Sequence, residues 1–264
     1  MTELSALIAE RGSLPLVVID ASALVKIESE YGTDTFDSVR NRVLALLAEQ
    51  RGKDYRESDI VALDEPQGLK FIFFLDRKRR RTLPFSAGDA RTVRARLAAS
   101  LVSSLARATF PYLKIPPRFG VGSGIALQNP ILHPDRILAK ALREALGAAA
   151  HQRKAEDLHT LEGLQDLILK ERVVTAYQPI LLLKDQTLLG FEALSRGSRG
   201  TGFETADELF GAATEHELVV ELDRLCRSRA FLSSGRVPSN ARIFVNTLPA
   251  TIRDPQFRGK PLID

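Results

Sequence analysis

Apolar side chains set two rhythms along this chain. Leu16 to Ile19 form a short apolar run closed by Asp20, the pattern of a buried strand, and Phe36, Val39, Val43 and Leu47 then recur at three- and four-residue steps as on one helical face. Two further strand segments, Ile60 to Leu63 and Phe71 to Leu75, are separated by Asp64-Glu65-Pro66-Gln67-Gly68, and this cluster of turn formers predicts a β-hairpin. Ser86 stands as the N-cap of a helix in which Val93, Leu97, Leu101 and Leu105 repeat every fourth residue. The proline-containing stretch from Pro111 to Pro117 leads into a glycine-rich strand over Phe119 to Leu127, and another helix starts near Asp135. Strand, helices, hairpin, helix, strand, helix is the order of an α+β domain with a mainly antiparallel sheet and helices packed on it.

From Ala155 to Lys170 a helical face runs through Leu158, Leu161, Gln165 and Ile168 without a proline, which predicts a linker helix over 155–171 and a constrained connection between two domains. Beyond it come a strand over Val173 to Ala176, a hairpin around Lys184-Asp185-Gln186, and a strand from Leu188 to Leu194 whose end carries Glu192 and Arg196. Thr205 and Glu208 have capping-box spacing at the start of a helix. Leu218, Leu222 and Leu225 mark another, and Ile243 to Val245 a strand that ends at Asn246. Repetition of strand, helix and strand predicts a parallel α/β design for this second part. The domain expectation is therefore 1–154, a linker helix over 155–171, and 172–264.

Of 264 residues, 44% are apolar and 27% charged, the composition of a globular protein rather than a disordered or fibrous one. A net charge of +4 suits phosphate-bearing ligands but falls short of a nucleic-acid arm, so no nucleic-acid partner is expected. The single cysteine, Cys226, excludes an internal disulfide and a multi-cysteine zinc site. The amino terminus breaks its apolar residues with Glu3, Glu10 and Arg11, and no run reaches the ~20 apolar residues of a membrane span, so a cytoplasmic protein without membrane contact is expected. Arg77-Lys78-Arg79-Arg80-Arg81 reads as a solvated loop. His133, His151, His159 and His216 lack metal-site spacing, and they and Cys226 are expected in core or surface roles.

Reading from Tyr177, the segments YQPILLLKDQTLLGFEALSRG, ELDRLCR and IFVNTLPATIRDPQFR together resemble the start of the EAL domain, the family of cyclic di-GMP phosphodiesterases and receptors. The resemblance covers roughly residues 172–264 and implies the start of a modified TIM barrel. By that resemblance Glu192 and Asn246 are ligands of an Mg or Mn ion that activates water, and Gln178 and Arg196 contact the dinucleotide, the guanidinium offering a planar fork to phosphate. On residue chemistry alone, Gln178 could equally satisfy strand-end backbone, and Glu192 with Arg196 could be an ion pair. TIM barrels need ~250 residues, whereas 92 run from Val173 to Asp264. The expectation is a partial α/β barrel, belonging to a longer protein or completed by a partner. Asp254 and Asp264 are the only later carboxylates, with Asp254 expected in a helical region away from the metals.

The segments LPLVVIDASALVKIESEYGTDTFDSV and YRESDIVALDEPQGLKFIFFL resemble the GGDEF domain, the diguanylate cyclase family, over roughly residues 13–152. The signature hairpin is degenerate, reading Glu65, Pro66, Gln67, Gly68, Leu69. Proline in place of glycine loses an amide donor and access to positive φ, and Glu65 adds negative charge where phosphate would lie. Asp20 stands at the first metal position and is vestigial. Asp37 matches a guanine-contacting position, whereas Val25 and Glu28 replace a lysine and an asparagine. Arg56-Glu57-Ser58-Asp59 matches the RxxD inhibitory site, where Arg56 and Asp59 would bind cyclic di-GMP; a surface Arg and Asp at a strand entrance is the alternative.

These resemblances imply a cyclic di-GMP signalling protein, inactive as a cyclase, that senses nucleotide or regulates. The alternatives are a phosphodiesterase producing linear pGpG, if the barrel is completed, and a protein-interaction module without nucleotide binding. The expected partner is cyclic di-GMP, with GTP and a protein partner or second copy as further candidates.

Overall fold

The computed structural model describes residues 2–66, 68–75, 87–113, 117–249, 251 and 254. Gln67, Ser86, Asp264 and the Arg77–Arg81 run lie outside them. The chain divides into two compact units, Met1–Glu156 and Asp157–Asp264.

In the first unit, α1 (Thr2–Arg11) precedes β1 (Ser13–Asp20). A single 3-10 turn then leads into α2 (Val25–Tyr31) and α3 (Thr33–Glu49). The hairpin strands β2 (Ile60–Leu63) and β3 (Lys70–Phe74), then α4 (Ala87–Thr109), β4 (Gly120–Leu127) and α5 (Pro134–Leu169) complete the order. The sheet order is β2-β3-β1-β4 with every pairing antiparallel, as the pattern predicts. Seven of the eight β1 residues are buried because both faces of this central strand are covered. On one face, Val17, Ile19, Phe71, Phe73 and Val121 pack with Phe36, Val39, Val43 and Leu47 of α3 and Leu97 and Leu105 of α4. On the other, Leu14, Leu16, Val18, Ile72 and Phe74 meet Ile8 of α1 and Ile137, Leu138, Ala141 and Ala145 of α5. The alternation of neighbours along β1 and β3 is the two-residue period of a pleated strand.

The glycine-rich strand has a packing reason. A methyl group built on Gly120, Gly122 or Gly124 would lie 2.6, 1.8 or 2.3 Å from the backbone oxygens of Ala149, Ala145 and Ala141. Three glycines on one face of β4 thus receive three alanines on one face of α5, bringing helix backbone directly onto strand backbone. The sequence pattern divides this helix into one starting near Asp135 and a linker over 155–171. The chain forms one 36-residue helix, because no proline interrupts it after its first residue and neither of its two glycines, Gly147 and Gly163, has a positive φ.

The second unit holds the end of α5, then β5 (Val173–Leu181), β6 (Leu188–Gly197), α6 (Ala206–Glu215), α7 (Val219–Leu232) and β7 (Arg242–Val245). The sheet order is β5-β6-β7. β5 and β6 form an antiparallel hairpin, and only β6 with β7 makes the parallel pair of a strand-helix-strand crossover. The hairpin expected around Lys184-Asp185-Gln186 thus forms, and the expected parallel strand-helix-strand arrangement is the crossover from β6 to β7. Pro179 sits inside β5, tolerated because β5 is an edge strand. Thr205 caps α6 with Glu208 in a reciprocal capping box, as its spacing predicts. Leu164, Leu167, Val173, Phe203, Leu209, Leu222 and Cys226 form this unit's core. Three strands are described and no closed barrel. Among the described residues no helix is long and apolar enough to cross a membrane.

Candidate functional site

Register places the second unit's candidate residues on one face. Gln178 of β5 lies opposite Glu192 of β6, Val174 opposite Arg196, and Glu192 in turn opposite Phe244 of β7. Directly paired residues share a sheet face, so Gln178, Glu192 and Arg196 all project from the same side. The other side carries Val173, Thr175 and Ala193, which are buried, and Tyr177, whose hydroxyl donates to the Ala230 carbonyl of α7. The face with the candidate residues is open, with Val174 and Phe244 exposed by 48% and 41%.

Asn246, one residue past β7, returns to this open face and donates from Nδ2 to Glu192 Oε1 at 2.7 Å. The structure therefore joins Glu192 to Asn246 and aligns Gln178 beside them. Arg196 lies four residues further along β6, and no ion pair connects it to Glu192 among the described residues. As a metal site the arrangement is insufficient. One carboxylate bonded to one amide offers two donor side chains, and among the described residues no group of three His, Cys, Asp or Glu side chains could hold an ion. Burial pushes the Cys226 thiol up to about 11, which keeps it protonated.

A feature without local sequence signal anchors the segment after β7. Arg224 grips Asp254 with Nε and a terminal nitrogen, both at 2.6 Å, and the Asp254 side chain is fully buried. Arg227 reaches the same carboxylate at 3.5 Å and lies 2.9 Å from Asp223, an ion contact outside hydrogen-bond alignment. These partners lie 30 and 27 residues from Asp254. No periodicity reveals them, although ELDRLCR marks one side of the cluster.

In the first unit the candidate groups are engaged internally. Asp20 is buried, accepts from the backbone and hydroxyl of Ser22, and pairs with Arg153 at 3.6 Å. The degenerate turn is closed on itself: Arg40 of α3 donates to the Pro66 carbonyl at 2.6 Å, and Lys70 pairs with Asp64 at 3.2 Å. Asp64 Oδ1 would lie 2.0 Å from a methyl group on Gly68, so the space beside that glycine is filled. Asp37 and Val25 are exposed and Glu28 half-buried. Asp59 is buried and accepts from the Arg56 amide at 2.7 Å, closing a turn whose reverse bond runs from the Asp59 amide to the Arg56 carbonyl. Burial pushes the Asp59 carboxyl above the usual range, outweighing the Arg56 amide, which acts the other way.

The second unit is thus a mixed α/β sheet unit with an acid and an amide joined on its open face. Residues 161–260 match the model of the EAL domain. No curated protein matches the chain. Among solved structures, the EAL domain of Xanthomonas citri FimX in complex with c-diGMP is 27% identical, with 40% of this chain and 42% of that chain covered at a TM-score of 0.36. The S helix-GGDEF-EAL portion of Vibrio cholerae LapD, bound to c-di-GMP, is 12% identical over 97% of this chain and 60% of that one, with a TM-score of 0.37. A sensory box/GGDEF family protein from Caulobacter crescentus is 17% identical over 56% and 85%, with a TM-score of 0.36. The chain thus spans about two fifths of the FimX chain and three fifths of the LapD one.

Proposed function

We propose that this protein is a cyclic di-GMP-binding regulatory module whose nucleotide contacts lie on the open face of the second unit. The observation that carries the reading is the Asn246 to Glu192 hydrogen bond, with Gln178 opposite Glu192 and Arg196 on the same face, within a segment that matches the EAL domain. Arg196 supplies a planar fork for phosphate and Gln178 an amide for a base or ribose edge. That solved EAL and GGDEF-EAL structures hold c-di-GMP supports the ligand class.

The same reading assigns no catalysis to these residues. Phosphodiester hydrolysis on Mg or Mn needs a metal-bound water and a second positive centre, and Glu192 with Asn246 is too small a donor set. Cyclase chemistry is not assigned to the GGDEF-like first unit, where Asp20 is paired with Arg153 and the turn at Pro66 is held by Arg40. Binding at Arg56 and Asp59 is placed second, since the Asp59 carboxylate is bonded to the Arg56 amide.

Calorimetric titration of the chain with cyclic di-GMP tests the assignment. Arg196→Ala is expected to weaken binding about tenfold, within the range of one charge-assisted hydrogen bond, with Arg56→Ala near wild type. Loss of binding in Arg56→Ala with Arg196→Ala unchanged would move the ligand to the first unit. No binding at all would leave the protein-interaction reading. The same protein incubated with GTP, or with cyclic di-GMP and Mg²⁺ or Mn²⁺, is expected to yield neither cyclic di-GMP nor linear pGpG.

A further inference from the structure

A cleft of about 610 Å³ opens in the second unit between the turn that joins α5 to β5 and the end of α7. Four cationic side chains line it: Lys170, Arg172, Arg229 and Arg236. Gln178, Glu192, Arg196 and Asn246 do not, although Val174, the cross-strand neighbour of Arg196, lines it at the margin of the open face. Its volume falls within the roughly 300–1,000 Å³ of small-molecule sites.

The turn is built to hold these cations in place. Glu171 adopts a left-handed φ of 52°, a conformation that favours glycine at a helix end. Arg229 clamps it, donating to the Glu171 carbonyl at 2.8 Å and pairing with its carboxylate at 3.2 Å. The Arg172 carbonyl accepts from both the backbone and the hydroxyl of Ser198, at 2.9 and 3.1 Å. Asp166 neutralises part of the charge, contacting Lys170 at 2.8 Å and Arg172 at 2.7 Å, and the Lys170 bond, then Arg172, hold its carboxyl below the usual range. Two carboxylates, Asp166 and Glu171, thus face four cations. The Arg236 guanidinium has no side-chain or carbonyl partner among the described residues. Apolar wall is supplied by Val173, Val174 and the exposed Leu232.

We propose that this cleft binds a phosphate-bearing small molecule, with Arg236 and Arg172 on the phosphate and the apolar part of the ligand along Leu232. A guanidinium without a protein partner gives its donors to an anion without first breaking an ion pair, and a fork of N–H groups matches phosphate oxygens. This inference does not rest on the cyclic di-GMP reading.

Calorimetric titration of the full chain with inorganic pyrophosphate, at low and at physiological ionic strength, tests it. Saturable binding that weakens with salt is expected, and Arg236→Ala should lower the affinity about tenfold, the loss of one charge-assisted contact. Glu171→Gln, which frees Arg229 from its carboxylate, should raise the affinity, while Arg196→Ala should leave it unchanged. Absence of saturable binding at low salt, wild-type affinity in Arg236→Ala, or no gain in Glu171→Gln overturns the proposal. Loss of binding in Arg196→Ala also overturns it, by assigning the phosphate to the open sheet face.

Discussion

The two sheets of this protein treat their faces differently. The four-stranded sheet of the first unit is covered on both sides, by α3 and α4 on one and by α1 and α5 on the other. The three-stranded sheet of the second unit is buried on one side and open on the other, and Gln178, Glu192 and Arg196 stand on the open side. The contrast extends to polar groups. Asp20, Asp59 and Asp64 of the first unit pair with nearby side chains or backbone, and Arg40 donates to the Pro66 carbonyl, whereas the Arg196 guanidinium has no partner among the described residues. The candidate residues are engaged internally in the unit where the sheet is enclosed, and stand on an open sheet face in the unit where it is not.

If enclosure in the first unit depends on close helix-strand approach, the largest effect should come from filling that seam. Gly122→Ala places a methyl group 1.8 Å from the Ala145 carbonyl oxygen, a backbone atom that cannot rotate away. A loss of about 3 kcal/mol is expected in denaturant unfolding, at the upper end of overpacking costs. Gly147→Ala on the open side of the same helix is the control, with an expected gain of about 0.5–1 kcal/mol from helix propensity. Equal effects of the two substitutions would show that the seam is not tightly packed.

A smaller loss is expected in the second unit. Asp254→Ala should cost about 2 kcal/mol, below the roughly 3–5 kcal/mol of a fully buried pair, because Arg224 retains 39% of its side-chain exposure. A proteolysis time course should show earlier cutting within the second unit and none within the first. Cutting confined to the first unit would reverse the comparison.

The smallest effect concerns pH. A carboxyl whose folded value is raised binds its proton more tightly in the folded state, so its contribution is full below the ordinary value of 3.8 and is lost as pH rises through the raised value. Asp59→Asn removes that loss and keeps an acceptor for the Arg56 amide. The Tm of the variant relative to wild type should thus increase with pH from the ordinary carboxylate value upward, then level off. A flat or falling difference would mean that the hydrogen bond outweighs burial at this carboxyl.

Elements defined by neighbours in sequence were legible from it. The helical face Phe36, Val39, Val43 and Leu47 is buried as its period predicts, the β2-β3 hairpin forms around its turn residues, and Thr205 with Glu208 makes the capping box. Features set by distant partners were not. Asp20 meets Arg153, Arg40 meets Pro66, and Arg224 meets Asp254, each across a separation with no periodic trace. The extent of α5 was missed for a milder reason, since its alanine-rich middle weakens the apolar stripe that marks a helix. Of the candidate site, the residue types were readable from motif resemblance. That Glu192 and Asn246 bond to each other follows only from the parallel pairing of β6 with β7.

The seam between β4 and α5 also behaves as a vernier. Alternate residues of a strand advance about 6.7 Å and every fourth residue of a helix about 6.0 Å, so successive glycine-alanine contacts fall out of step by roughly 0.7 Å each. Three contacts tolerate the accumulated offset, and a fourth or fifth would not, which sets an upper length for such a seam. The same mismatch makes it a one-position ratchet. Sliding the helix by a single residue brings Leu142 or Leu146 over the glycines in place of Ala141 or Ala145, and even a full four-residue step places Arg153 or Ile137 in one glycine gap, so no other register supplies three alanines.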